Sequence, residues 1–524
     1  MAILTTQVPD RHLESVQAHE KPAHPAWPQW QLIAFRIATI FILQIIVPSR
    51  GEWYERVTKI RALRDFYSAA MAGGLNYISL KSESGRWGIG SFASWGIALA
   101  VAIVLGGIWT LLARKSKRKE YTVAYYWLRL AVRYWVALNI LHYGYLKLYP
   151  MQMPFPSISN LHTLLGEHAA YRLYWQIVGI VTWYQVVLGV IEVTAGSLLF
   201  FERTTALGAV LNLGILYNVA HANFAYDGGV HVLSGAISLL SGFLLLQYIP
   251  NIYRLIVKKQ NVVPNYYHPQ FSEQWKRRLF RGAQIAAWII FIPLYTYTSI
   301  HGYLKSNFSK EPRSPGLANA KGYYNVTEFK LDGKELPYSP LDSERWHDVS
   351  FEDYPTLTFK VNKALPIRLE NGGPGFKDAA KRYELAGFAG GRTYLSYDID
   401  EAKQTLTLQD KNADVTTRDP SATGPARRRG RGANDAKAGK KGKKNSKLVW
   451  HYEWLAPDRI ALSGNTADKK QFYAVLDRVH ENLPINVGEP LQGDALNYDR
   501  QFGRRYPLYD RNFDGTADTP NGER

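Results

Sequence analysis

The feature that most constrains this chain is a series of long apolar runs in its N-terminal 300 residues. A helix needs about 20 mostly apolar residues to cross roughly 30 Å of hydrocarbon. Seven stretches meet that length, near 31–48, 92–113, 124–148, 174–200, 204–225, 229–248 and 282–300. They are rich in Trp and Tyr, whose rings favour the half-wet membrane interface. Arg129 and Arg133 interrupt the third stretch. About 29 polar residues precede the first, with no small-residue cleavage site after it, so it reads as a retained helix and not a signal peptide. The mean hydropathy of the whole chain is slightly negative only because residues 302–524 are polar.

Loop charge sets the expected orientation. Arg114, Lys115, Lys117, Arg118 and Lys119 lie between the second and third stretches, and Arg254, Lys258, Lys259, Lys276, Arg277, Arg278 and Arg281 between the sixth and seventh. Both loops should be cytoplasmic. The Glu202-Arg203 turn then faces the same side. Seven spans place the N-terminus inside and the C-terminal domain outside, which is the periplasm if the cell is a diderm bacterium. The expected location is the cytoplasmic (inner) membrane.

Ionisable residues in hydrocarbon usually face a partner or a cavity. At 1.5 Å per residue, Arg133, Glu192 and Asn212 fall at one depth, each ~12–14 Å from the cytoplasmic end of its stretch. An Arg133–Glu192 pair hydrogen-bonded by Asn212 is therefore expected, either as a structural ion pair or as a substrate or proton site. Gln185, Gly189, Glu192 and Gly196 repeat at three and four residues, a polar stripe whose glycines permit close helix approach. A second polar layer lies near the outer ends: His142, Lys147, Asn218, His221, Asn223, Asp227 and His231. It would suit a metal, a haem or a quinone headgroup, or be simply half-solvated interfacial side chains.

A family resemblance rests on three segments: RYWVALNILHYGYLKLYPMQMPFPS, LGVIEVTAGSLLFFERTTALGAV and NVAHANFAYD. The residues that carry it are Arg133, Tyr134, Tyr143, Gly144, Lys147, Gln152, Phe155, Pro156, Glu192, Gly196, Arg203, Thr204, Asn218, Asn223, Phe224, Tyr226 and Asp227. In order and spacing they resemble DoxX-type membrane proteins over about a quarter of the chain. The resemblance implies a four-helix core over 124–256, with 30–123 adding two spans and an external loop, and 257–301 a cytoplasmic loop and a seventh span. It also implies association with quinone-linked redox complexes, although a shared fold transfers function poorly.

After Gly302 the apolar period shifts toward two, the period of strands. Strands are expected at 323–331, 356–361, 366–370, 393–400, 404–410, 448–455 and 459–465, with a hairpin between 393–400 and 404–410. Trp346, Trp450, Tyr452 and Trp454 supply core bulk. The expected fold is thus a multi-pass helical membrane bundle plus an antiparallel β-rich domain over 302–500, a barrel or sandwich of broadly lipocalin-like shape.

Net charge is +19, and ten Lys/Arg against Asp435 crowd into 427–447. Such a run cannot bury a core, so 411–447 reads as a disordered insert. Placed outside, it reads as a solvated loop with no fixed partner, the alternative being contact with envelope polymers or lipid headgroups and no nucleic acid. In the polar tail 501–524, Asp510, Asn512, Asp514 and Asp518 with Gly515 follow calcium-loop spacing, but Asn521 stands where the bidentate Glu belongs. Cysteine is absent, which excludes disulfides and thiolate chemistry. There is no GxSxG, HExxH or phosphate loop, and no catalytic nucleophile is specified. Three functions fit: a membrane component of a quinone-linked or redox-associated complex, an envelope scaffold or assembly protein, and a small-molecule transporter. Whether the chain is an enzyme stays open, and the lipid bilayer and subunits of a membrane complex are its expected partners.

Overall fold

The computed structural model describes residues 26–48, 51–71, 89–116, 118–226, 228–263, 266–305, 310–363, 365, 378–385, 391–412 and 447–480. The expected strand at 366–370, the body of the basic insert, the calcium-loop residues Asp510, Asn512, Asp514 and Asp518, and Asp227 lie outside the described residues.

The first part is helical: α1 (Gln29–Ile46), α2 (Gly51–Thr58), α3 (Leu63–Ala70), α4 (Ala93–Leu112), α5 (Thr122–Leu148), α6 (Ile158–Leu161), α7 (Ala170–Ile180), α8 (Thr182–Ser197), α9 (Thr205–Ala225), α10 (His231–Leu245), α11 (Ile249–Ile256), α12 (Gln274–Ile289) and α13 (Tyr295–Lys305). A π-turn at Ile290–Leu294 joins the last two around Pro293, whose missing N–H interrupts the α-helical ladder.

Five helical segments among the described residues are long and apolar enough to cross a membrane: Gln29–Ile46, Ala93–Lys115, Thr182–Phe200, Glu202–Ala225 and Gln274–Leu304. The pair α10 and α11 meets the same test together but bends by 66°. Of the seven expected stretches, the third fails this test, the fourth passes it over Thr182–Phe200, and the sixth passes it only together with α11. The third, α5, is 27 residues long but carries Arg129, Arg133 and Lys147, all buried. The fourth breaks at Val181, which separates α7 from α8.

Helix α4 shows how the apolar sequence packs. Only Ser94, Ala98, Ala102 and Gly106 are buried, a stripe of small residues at four-residue spacing. A Cβ at Gly106 would lie 2.6 Å from the Ile37 side chain on α1, so the stripe lets two backbones approach. The opposite face, including Leu99, Ile103, Val104 and Leu111, is exposed. An apolar face of this size has no aqueous explanation and suits lipid.

The second part is a β-barrel of strands β1 (Gly322–Leu331), β2 (Lys334–Glu335), β3 (Asp348–Phe351), β4 (Thr356–Lys360), β5 (Arg392–Asp400), β6 (Thr405–Asp410), β7 (Leu448–Ala456), β8 (Arg459–Asn465) and β9 (Gln471–Arg478). All pairings are antiparallel. β1 pairs with β9 from Tyr324↔Arg478 to Leu331↔Phe472, which closes the sheet and leaves β2 as a short flap on β1. Asp332 and Gly333 turn that flap with φ of 49° and 77°, the left-handed backbone that tight hairpins require. The expected hairpin appears as β5–β6, with Asp400 opposite Thr405.

An eight-strand closure leaves an interior that side chains can fill. Here aromatic rings fill it: Trp346 stacks on Phe359 at 4.2 Å and meets Phe472 at 4.7 Å, and Trp450 meets Phe472 at 4.8 Å. The sequence reading missed β2, β3 and β9. β3 is only four residues long and buried on both faces, so it shows no alternation.

Lys411 corrects the start of the expected insert. Its side chain is fully buried, paired with Glu384 and donating to Thr356 Oγ1 at 2.9 Å. It belongs to the barrel.

Candidate functional site

The polar stripe of α8 faces α5. A Cβ at Gly189 would lie 2.2 Å from Leu148 N, and one at Gly196 would lie 2.8 Å from Ile140 Cγ2. Gly144 on α5 is equally tight, 3.1 Å from Glu192 Cβ. These contacts set the register: Gly144 opposite Glu192, Leu148 opposite Gly189.

That register overturns the expected Arg133–Glu192–Asn212 cluster. Glu192 pairs with Lys147 at 2.8 Å, with both side chains buried. Arg133 instead reaches Thr205 Oγ1 at 3.4 Å. Asn212 donates within the helices, to Ala195 O at 3.0 Å and Gly208 O at 2.7 Å. The depth estimate failed because α5 runs well past the end of α8 on the Arg133 side, so equal distances from the ends are not equal levels.

The second layer does not converge on a ligand. His142 lies 3.3 Å from Tyr295 Oη. His231 contacts Ser91 Oγ and sits between Phe92 and Phe224. His221 is exposed and bonds to Tyr217 O, Asn223 donates to Val219 O, and Asn218 is exposed. Among the described residues no group of three His, Cys, Asp or Glu side chains is placed to hold a metal ion. Among the described residues of the expected layer, Lys147 is the one whose side chain joins an ion pair in the bundle core.

Gln185 does something the spacing alone did not show. Its Oε1 accepts from Met153 N at 2.9 Å and its Nε2 donates to Met153 O at 3.2 Å. It thereby pins the Pro-rich segment after α5. Gly179 allows the same segment to pass, since a Cβ there would lie 2.4 Å from Pro154 O.

This segment carries α6, and α6 is where the barrel attaches. Glu352, just after β3, accepts from Ile158 N at 2.9 Å and Ser159 N at 3.0 Å. A carboxylate across the first turn of a helix satisfies donors that have no partner inside it. Burial pushes the Glu352 carboxyl up to about 7; the bonds from Ser159 and Ile158 pull the other way, and Asp353 adds to the rise. Around it, His162 stacks on Tyr323 at 3.7 Å, Lys360 pairs with Glu167 at 2.8 Å, and Arg172 Nη2 donates to Arg382 O at 3.1 Å.

Lys310 enters the junction from the chain after α13. Its Nζ lies 3.6 Å from the centre of the Trp175 ring. Burial first, then the charges of Arg172 and Lys147, hold its ammonium well below the usual lysine range. Lys310 thus feels both Lys147 of the bundle core and Arg172 of the junction as like charges. Sequence reading missed Glu352, Arg172, Lys310 and Glu384, since isolated charged residues look solvated until the chain folds.

Fold and site together define a class: a helical bundle with membrane-length apolar helices, bearing a closed antiparallel barrel locked onto one end. Among curated proteins, the chain is similar to an uncharacterized protein, YwoB, of Bacillus subtilis (strain 168), with 29% identity over 133 residues. That match covers 25% of this chain and 79% of YwoB. No protein-family model matches the chain, and no solved structure matches it.

Proposed function

We propose that this chain is an envelope scaffold: a DoxX-like membrane bundle that holds a β-barrel in fixed orientation on the outer face of a bacterial cytoplasmic membrane, for other subunits to dock on. The observation that carries the reading is the barrel's seat. Glu352, Lys360, Arg172 and the His162–Tyr323 stack tie the barrel directly to the segment after α5. A domain that merely followed the last span would need no such ties. The basic stretches at 114–119 and 254–281 support an inside location for the far end of the bundle, which puts the barrel outside. Tyr338, Leu341 and Val449 are large apolar side chains exposed on the barrel and offer contact points for a partner.

The test is photo-crosslinking in intact membranes from positions 338, 341 and 449. One and the same partner should be captured from these sites, and capture should fall when Glu352→Ala and Lys360→Ala loosen the seat. Capture that ignores the seat, or no discrete partner, would remove the scaffold reading.

A second reading, membrane component of a quinone-linked or redox-associated complex, is favoured by one observation: a buried ion pair, Lys147–Glu192, at the barrel end of the bundle. It expects quinone in the purified protein, with binding weakened by Glu192→Ala. Purification in lipid without any bound or bindable quinone would sink it.

A further inference from the structure

The opposite end of the bundle holds a second polar feature that the scaffold reading does not use. Arg129 and Arg133 stand one turn apart on α5, 9% and 5% exposed. They line a small open pocket with Tyr126, Glu202, Thr205 and Tyr248. Arg129 Nη2 donates to Leu244 O at 3.1 Å, and Arg133 Nη1 makes only the long contact to Thr205. Arg129 Nε and Arg133 Nε and Nη2 are buried with no hydrogen-bond partner among the described residues.

Two like charges four residues apart on a helix repel, and a buried charge without a partner is costly. Aromatic faces relieve part of this: Arg129 lies over Tyr125 and Tyr248, and Arg133 over Tyr134. The pocket's carboxylate, Glu202, pairs instead with His268 at 3.1 Å. Among the described residues, two guanidinium groups thus share a pocket with no carboxylate bonded to them. Planar guanidinium forks match phosphate oxygens in pairs.

Location says which phosphate. The pocket opens where α11 leaves α10 at 66°. Ile249, Ile252, Leu255 and Ile256 on α11 are exposed, beside Arg254, Lys258 and Lys259. An apolar helix face flanked by basic residues lies at headgroup depth. We propose that Arg129 and Arg133 form a binding site for the phosphate diester of an anionic phospholipid, with the acyl chains running along the apolar helices.

The experiment uses the full-length protein in a neutral detergent. It is titrated in parallel with short-chain phosphatidylglycerol, phosphatidylcholine of the same chain length, and sodium phosphate. Native mass spectrometry counts bound lipid, and the thermal midpoint reports binding. Phosphatidylglycerol should bind and raise the midpoint where phosphatidylcholine does not, and Arg133→Gln should weaken it by at least about fivefold. If that variant does not fold, Arg129→Lys with Arg133→Lys keeps both charges but loses the forks, and should also weaken binding. Glu202→Gln should bind at least as tightly as the wild type. Sodium phosphate reproducing the full midpoint shift would make this a free-anion site and overturn the lipid assignment. Equal binding of both lipids would overturn it too, as would anion binding that appears only in Glu202→Gln, which would make Glu202 the internal counter-ion.

Discussion

The Lys147–Glu192 pair allows a quantitative test of how the bundle core is held. The two side chains meet at 2.8 Å, 8% and 3% exposed. The helices around them are in backbone-level contact: Cβ positions at Gly144 and Gly189 fall 3.1 Å and 2.2 Å from atoms of the facing helix. Water therefore has no room to replace a missing partner. Glu192→Gln or Lys147→Met alone should cost about 3–5 kcal/mol, since each leaves one buried charge uncompensated. At roughly 2–4 °C per kcal/mol, the thermal midpoint should fall by about 6–20 °C. The double variant Lys147→Met/Glu192→Met keeps side-chain length and removes both charges. It should recover most of the loss, giving a coupling of at least about 2 kcal/mol. The assay is thermal unfolding of the detergent-solubilised protein, followed by tryptophan fluorescence, across the four-protein cycle. Effects that add to within about 0.5 kcal/mol would refute the reasoning, because independent residues add and a mutually compensating pair does not.

Three other outcomes follow from the same structure. Gly189→Ala forces a methyl into the Leu148 backbone, which cannot rotate away, so it should cost more than the usual ~1–3 kcal/mol of overpacking; a midpoint within about 2 °C of wild type would contradict this. Glu352 gives a pH signature. Its folded pKa of about 7 lies above the ordinary 4.5, so between those values the folded protein keeps a proton that the unfolded chain releases. Stability should fall by on the order of 3 kcal/mol as pH rises through that window, and Glu352→Gln should flatten the slope; midpoints measured from pH 5 to 7.5 that fall equally in both proteins would count against it. Trp346→Ala removes the ring that four barrel aromatics pack on and should destabilise the barrel by about 3–5 kcal/mol, seen as early loss of near-ultraviolet circular dichroism while the helical far-ultraviolet signal persists.

Much of the architecture can be read from local pattern. The apolar runs at 31–48, 92–113 and 204–225 each gave a helix long enough to span, because length and uniform apolarity are properties of the segment itself. Six of the expected strands came from alternation or aromatic enrichment, and the β5–β6 hairpin from the polar turn residues between its strands. The α8 stripe of Gln185, Gly189, Glu192 and Gly196 was visible for the same reason: helical spacing decides which residues share a face.

Partnership was not local. Glu192 chose Lys147 over Arg133 because glycines on both helices set the α5–α8 register, and register depends on where each helix begins and ends. α5 begins at Thr122 and overhangs the end of α8 on the Arg133 side, so the estimated depths slipped. Glu352 and Lys411 look like ordinary surface charges in the sequence, and only closure of the barrel and its docking on α6 bury them. Sequence alone determined a chain with an apolar helical half and a β half. Only the tertiary structure decided which charges meet, because burial and pairing belong to the surface between elements and not to any one of them.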